Sequence, residues 1–302
     1  MTLLNIFSPA GVVARAPTLH LAARRLRGLG FEVQLDPSVS ARHQRFGGDD
    51  ETRLAALHRV AAAAPSVAMA TRGGYGITRL LDRIDWKLLA HSVEQGTRWV
   101  GHSDFTAVQL GLLARSSAVT WAGPMASDDF GRADDAGGVD EVTRDCFLEA
   151  MSGELEAVGF RTEAGFDGLS VRGRLWGGNL TMVMSLLGTP YWPQARLIKG
   201  GVLFLEDVNE HPYRVERNLL QLQQAGVLQA QQAVLLGAFS AWKPSPLDRG
   251  YTLKTALARV RAGMKTPLLT GLPFGHVQPK VTLPVGQKVQ LVVQGRDVLV
   301  GW

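Results

Sequence analysis

Trp99-Val100-Gly101-His102-Ser103-Asp104-Phe105-Thr106-Ala107 reads as an apolar strand that runs into a glycine, then a serine, then a helix. The same alternation fills the chain on its N-terminal side. Leu3–Phe7 is a short apolar strand closed by Ser8-Pro9-Ala10-Gly11, and Pro17–Leu29 has helical periodicity and stops at Gly30. Phe31–Leu35 is a strand, and Asp50–Ala64 is a helix whose acidic first turn suits its dipole. Ser66–Ala70 is a strand ending in Arg72-Gly73-Gly74-Tyr75-Gly76, with a short helix over Ile77–Leu81, and Ser103–Leu113 is helical. Strands alternating with helices predict a wound, mostly parallel α/β sheet. Ligands of such sheets sit beyond the carboxyl ends of the strands, where the Gly73 and Gly101 turns both fall.

Further on the pattern changes. Asp128–Glu149 holds eight acidic and two basic residues around Gly137-Gly138, and reads as a bridge that is partly helical over Val139–Met151. Strands follow at Val171–Trp176, Gly201–Leu205, Ala233–Phe239, Val281–Leu283 and Gln287–Val293, with helices at Leu180–Leu187 and Pro212–Ala225. Lys288–Val300 alternates as a hairpin around Gly295. The expected division is an N-terminal α/β domain over 1–125, a linker over 126–170 and a smaller β-rich domain over 171–302.

Composition narrows the function. Of 302 residues, 46% are hydrophobic and 20% charged, enough for a substantial core and unlike a disordered chain. No uninterrupted apolar run approaches the ~18 residues of a membrane span. Leu3–Phe7 lacks a preceding basic residue and is broken early by Ser8-Pro9, so no export signal is expected and the cytoplasm is the default compartment. Cys146 is the one cysteine, which excludes an internal disulfide and a cysteine zinc site. The net charge of +5 lies in the second half: residues 1–150 hold 16 basic and 17 acidic groups, and 151–302 hold 16 and 10. The cations are scattered rather than clustered with aromatics, which argues against nucleic acid and for small anionic ligands.

Ser103 stands where a nucleophile elbow would display its hydroxyl, with the helix N-terminus directing N–H groups toward a developing anion. Phe105 replaces the second glycine of G-x-S-x-G, so the usual α/β-hydrolase pattern fails, and a serine before a helix is also a common N-cap. A serine nucleophile needs a base and an orienting carboxylate. Of the seven histidines, His20, His58 and His91 lie on helices, His43 lies in an Arg-rich loop, and His102 adjoins the serine and should point away from it. His211 and His276 remain, the latter in Gly271-Leu272-Pro273-Phe274-Gly275-His276. Glu206 ends the apolar strand Gly201–Leu205 together with Asp207. Glu210-His211 lacks the H-E-x-x-H spacing of a metal site. Arg72-Gly73-Gly74-Tyr75-Gly76 lacks the spacing of a phosphate or dinucleotide loop, so neither metal nor cofactor is expected. An amidotransferase-like reading shares the wound sheet but needs a cysteine at the elbow, and Cys146 is far from it.

Taken together, these segments resemble the LD-carboxypeptidases, serine peptidase family S66. The resemblance rests on Ser8-Pro9-Ala10-Gly11, Arg72-Gly73-Gly74-Tyr75-Gly76, Gly101-His102-Ser103-Asp104-Phe105-Thr106-Ala107, Gly123-Pro124-Met125, Leu175-Trp176-Gly177-Gly178-Asn179-Leu180, Leu205-Glu206-Asp207-Val208-Asn209-Glu210-His211-Pro212 and the Gly271–His276 block, in the family's order over nearly the whole chain. It implies a wound α/β domain followed by a β-rich one, with Ser103 as nucleophile, Glu206 as orienting carboxylate, His276 as base and the site in the cleft between domains. It implies hydrolysis of the L,D amide that releases terminal D-alanine from murein tetrapeptides, free or sugar-linked, by a protein that is commonly a homodimer. The oxyanion would be bound by the amide of Asp104 with one from Gly73 or Gly74, and the terminal carboxylate by Arg72. Two other readings remain. Some relatives hydrolyse a peptide–nucleotide antibiotic, for which Trp176 or Trp242 would contact the nucleobase. A non-catalytic protein that closes on a small anion through the Gly-Gly turns is the other.

Overall fold

The computed structural model describes residues 2–302. Up to residue 155 the elements are β1 (Thr2–Phe7), α1 (Ala16–Gly28), β2 (Phe31–Leu35), α2 (Asp50–Ala63), β3 (Val67–Ala70), α3 (Trp86–Glu94), β4 (Arg98–Gly101), α4 (Thr106–Ser116), β5 (Thr120–Ala122) and α5 (Glu141–Ser152). Beyond it come β6 (Ala157–Arg161), β7 (Ser170–Asn179), α6 (Leu180–Leu186), α7 (Ala195–Ile198), β8 (Val202–Val208), α8 (Pro212–Gln224), β9 (Ala233–Ser240), α9 (Leu253–Arg261), β10 (Leu268–Thr270), β11 (Leu283–Val285), β12 (Lys288–Gln294) and β13 (Asp297–Gly301). The chain forms two units. The first is Met1–Leu155 with Thr189–Pro193 and Pro279–Gly286; the second is Glu156–Gly188, Gln194–Gln278 and Gln287–Trp302. Residues 126–170 are thus shared: α5 belongs to the first unit, and β6 to the sheet of the second.

The first unit holds a six-stranded sheet in the order β11-β5-β4-β3-β1-β2. β2, β1, β3, β4 and β5 run parallel, and β11 closes the edge antiparallel to β5. Central strands covered on both faces must be apolar throughout, and every residue of β3 is fully buried. The order reverses between β1 and β3. That reversal is the switch point where a wound sheet opens a crevice at its carboxyl ends. The loops after β1, β3 and β4 all leave from that end. β11 corrects the sequence reading, which put a strand at Val281–Leu283 in the second domain. The strand lies two residues further on and pairs with Trp121 and its neighbours in the first unit. Pro284 has no N–H to give a central ladder, and an edge tolerates it.

In the second unit a seven-stranded sheet runs β10-β9-β8-β7-β12-β13-β6. β7, β8, β9 and β10 are parallel, and β12, β13 and β6 complete it antiparallel. The α/β class therefore extends into this unit, which is more mixed than a purely β-rich domain. The expected hairpin is β12–β13: Gln294 pairs with Asp297 across Gly295, whose φ of +61° suits a residue without Cβ. Among the described residues no helix is long and apolar enough to cross a membrane.

Glycine inside a helix costs stability unless something needs the space. Gly111, midway along α4, has that reason: a Cβ there would lie 2.3 Å from the Trp86 ring of α3. Gly111→Ala is expected to lower unfolding free energy by about 1–3 kcal/mol. A denaturation midpoint equal to or above wild type would contradict this packing.

Candidate active site

In the first unit the chain leaves β4 through Gly101 and turns sharply at Ser103, which has φ +63°. That left-handed conformation costs a non-glycine residue of order 1 kcal/mol or more and is concentrated at functional sites. A single 3-10 turn, Ser103–Phe105, leads into α4. Gly101 is needed because a Cβ there would come within 2.9 Å of the Phe105 ring. The loop after β3 closes on the serine from the other side. A Cβ on Gly73 would lie 2.5 Å from both Cβ and Oγ of Ser103, and 3.4 Å from the Asp104 amide nitrogen. The Gly73 carbonyl accepts from Gly11 N–H at 3.0 Å, which ties the loops after β1 and β3 together. Gly73 and the Asp104 amide therefore both lie beside the serine. Gly74, with φ +117°, packs on Gly11 instead.

Below the turn, Asp104 is buried and accepts from Ile77 N–H at 2.9 Å through Oδ2, while Oδ1 accepts nothing from the protein. Burial pushes its carboxyl up to about 6; the Ile77 hydrogen bond and the charges of Arg53 and Arg45 oppose this. Arg53 is itself fully buried and donates to the Pro9 carbonyl at 3.0 Å, so it braces the loop after β1. Arg72 is half-buried. One of its terminal nitrogens donates to the Val12 carbonyl at 3.1 Å, and its Nε is buried without a hydrogen-bond partner, 3.9 Å from Asp128.

In the second unit β8 delivers Glu206 to a fully buried position. His276 Nδ1 lies 2.8 Å from its Oε2. With the imidazole donating through Nδ1 in this bond, its lone pair lies on Nε2. Asn179, at the end of β7, bridges the two acids: its Nδ2 donates to Glu206 at 3.1 Å and to Asp207 at 2.9 Å. Its Oδ1 caps α6 through Met182 N–H. Asp207 faces away from the histidine and is spent on Thr181 and its own strand; burial, reinforced by the neighbouring Glu206, pushes its carboxyl up. The His276 loop is held to β9 by Ala238 N–H on the Phe274 carbonyl at 2.8 Å. Gly275 permits the approach, since a Cβ there would sit 3.0 Å from Glu206 Oε2.

His211, left open as the alternative base, is not paired with Glu206. It caps α8, contacts Asp248 at 3.2 Å, and lines a cavity of about 940 Å³ with Tyr213 and Trp242. Trp176 is fully buried and donates to Gln231, so of the two tryptophans named for a nucleobase only Trp242 reaches a cavity. His102 is buried and turned from the serine: Nδ1 meets the Gly123 carbonyl at 2.9 Å, and Nε2 meets Lys280 Nζ at 3.1 Å. Sequence reasoning did not single out Asn179, Arg53 or Lys280. Asn179 entered the sequence reading only within the Leu175–Leu180 block, and Lys280 stands out just as a charge beside an apolar run. Among the described residues no group of three or more His, Cys, Asp or Glu side chains is placed to hold a metal ion.

A strained serine at the end of β4 in the first unit and a buried Glu–His pair in the second are the side chains that a hydrolase of the serine type uses. Residues 4–123 match the LD-carboxypeptidase N-terminal domain and residues 172–291 the LD-carboxypeptidase C-terminal domain. A probable murein peptide carboxypeptidase of Bacillus subtilis is 30% identical over 95% of this chain and 90% of its own length. The murein tetrapeptide carboxypeptidase of Pseudomonas aeruginosa is 29% identical over 95% and 92%. The crystal structure of muramoyltetrapeptide carboxypeptidase from Oxalobacter formigenes superposes with a TM-score of 0.88 at 40% identity, covering 100% of this chain and 99% of that one. The chain belongs to the LD-carboxypeptidase family.

Asp104 gives a signed pH prediction. A carboxyl raised in the folded state makes the fold bind its proton more tightly, so the stability it contributes is complete below about pH 4 and is lost as pH rises through about 6. The stability of wild type relative to Asp104→Asn should therefore fall between pH 4 and 7, by at most roughly 3 kcal/mol. Melting curves at four pH values check this; a gap that is constant or widens with pH contradicts it.

Proposed function

We propose that this LD-carboxypeptidase releases the terminal D-alanine of murein tetrapeptides with Ser103 as nucleophile, His276 as its base and Glu206 as the group that orients the base. The observation that carries the reading is the 2.8 Å pair of His276 Nδ1 with the fully buried Glu206. It leaves Nε2 with the lone pair needed to accept a hydroxyl proton. Ser103 Oγ attacks the carbonyl carbon of the L,D amide while its proton passes to His276 Nε2. Glu206 stabilises the imidazolium without taking the proton. The Asp104 amide and one from Gly73 or Gly74 bind the oxyanion. The imidazolium then gives its proton to the departing nitrogen of D-alanine, and water hydrolyses the acyl-enzyme by the same route in reverse. The Gly73 backbone packed on Ser103 supports this oxyanion assignment. Arg72 Nε, buried with no hydrogen-bond partner and only Asp128 at 3.9 Å, supports Arg72 as the cation for the alanine carboxylate, because a buried guanidinium N–H calls for an acceptor. In this reading the reaction runs in the cytoplasm, on free or sugar-linked peptides, and the enzyme is a homodimer as members of the family commonly are.

The test is incubation with free murein tetrapeptide and detection of D-alanine. The L-alanine epimer and the C-terminal amide should each lose at least roughly 10²-fold in kcat/KM, the scale of a lost buried polar pairing. Equal rates on the two epimers would contradict the assigned specificity. Ser103→Ala should abolish release. His276→Ala and Glu206→Ala should each lose most of kcat, and His211→Ala far less, since His211 serves Asp248 and the α8 cap. If His211→Ala were the deader variant, the base would be misassigned.

A further inference from the structure

Beneath the serine turn lies a buried charge cluster that the reaction does not use. Lys280 and Asp129 have side chains 3% and 2% exposed. Lys280 Nζ has three protons and three acceptors: Asp129 Oδ1 at 3.0 Å, Asp129 Oδ2 at 3.1 Å and His102 Nε2 at 3.1 Å. The ammonium can only donate, so His102 holds its proton on Nδ1 and gives it to the Gly123 carbonyl at 2.9 Å. Asp129 is fixed in turn by Met125 N–H at 2.8 Å. The ring next to Ser103 is therefore set in one tautomer and one orientation. Lys280 is also held by its main chain, whose N–H donates to Thr143 Oγ1 at 2.8 Å. Burying an ion pair is costly, and such pairs are best attested where they fix a register.

We infer that Lys280 is a positioning residue: its clasp on His102 and Asp129 holds the turn that carries Ser103. This rests on the roles proposed above for Ser103 and His276.

The test is kinetic. Lys280→Met, assayed for D-alanine release from free murein tetrapeptide, is expected to lose about 10²-fold in kcat, the scale of a misplacement near 1 Å. KM should stay within about threefold, because the substrate contacts are untouched. His102→Phe keeps an aromatic ring and the Lys280–Asp129 pair while removing the Nε2 acceptor and the Nδ1 contact with the Gly123 carbonyl; it should lose kcat in the same sense but less. Lys280→Arg should recover part of the Met variant's loss. The deciding measurement adds each change to His276→Ala. A residue that acts by placing Ser103 for its base has nothing left to do once the base is gone, so the double variants should be no worse than His276→Ala alone. Multiplicative losses, or full kcat in His102→Phe and Lys280→Met, would overturn the inference. If Lys280→Met fails to fold, His102→Phe alone and in the His276→Ala background decides it by the same criteria. Wild-type enzyme without activity on the tetrapeptide would refute the substrate reading instead, and a chromogenic L,D-amide ending in free D-alanine would then carry the same comparison.

Discussion

Ser103 at φ +63°, with the Gly73 backbone against its Cβ, is the constraint around which the first unit is arranged. A serine in that conformation relaxes unless its neighbours forbid it. Gly101 lets the Phe105 ring close beneath the turn, Gly73 seals it from the side, and the Gly11–Gly73 hydrogen bond locks that seal to the loop after β1. Each of these glycines is placed by a close approach of backbone or ring. The glycine content that the composition shows is thus partly the price of a crowded carboxyl end of the sheet. It is the same end at which the strand order reverses, so fold and chemistry share one location.

The second unit solves a different problem, holding a carboxyl group away from water. Glu206 is tolerated at full burial because His276 and Asn179 both donate to it. Asn179 does three things with one amide: it caps α6, supports Glu206 and keeps the adjacent Asp207 occupied. Only one of the two adjacent acids serves the histidine, because Asp207 is spent on Asn179, Thr181 and its own strand. Gly275 then removes the one Cβ that would crowd the pair.

Much of this was legible in the residues. Parallel strands covered on both faces are apolar runs, and their ends are punctuated by the glycines that the turns need, so β1 to β4 and β7 to β9 stand out. The strands that did not are β5 and β10, three residues each, and β6. Three-residue runs carry no usable periodicity, and α3 and α9 were passed over although Asp85 and Thr252 cap them. Ser103 and Glu206 could be picked from turn and strand-end chemistry. The choice between His211 and His276 could not be made from local pattern, because what separates them is which one a carboxylate 70 residues away touches. Lys280 was invisible for the same reason: its partners lie 151 and 178 positions away.

The central claim is that the buried Glu206–His276 pair activates Ser103. Reaction with a serine-directed fluorophosphonate, followed by intact mass and peptide mapping, tests it without any assumption about the substrate. Wild-type enzyme should gain one adduct, on Ser103, and Glu206→Gln should gain it far more slowly, since a neutral amide cannot stabilise the imidazolium. An adduct on another residue, or equal labelling rates in the two proteins, would contradict the account.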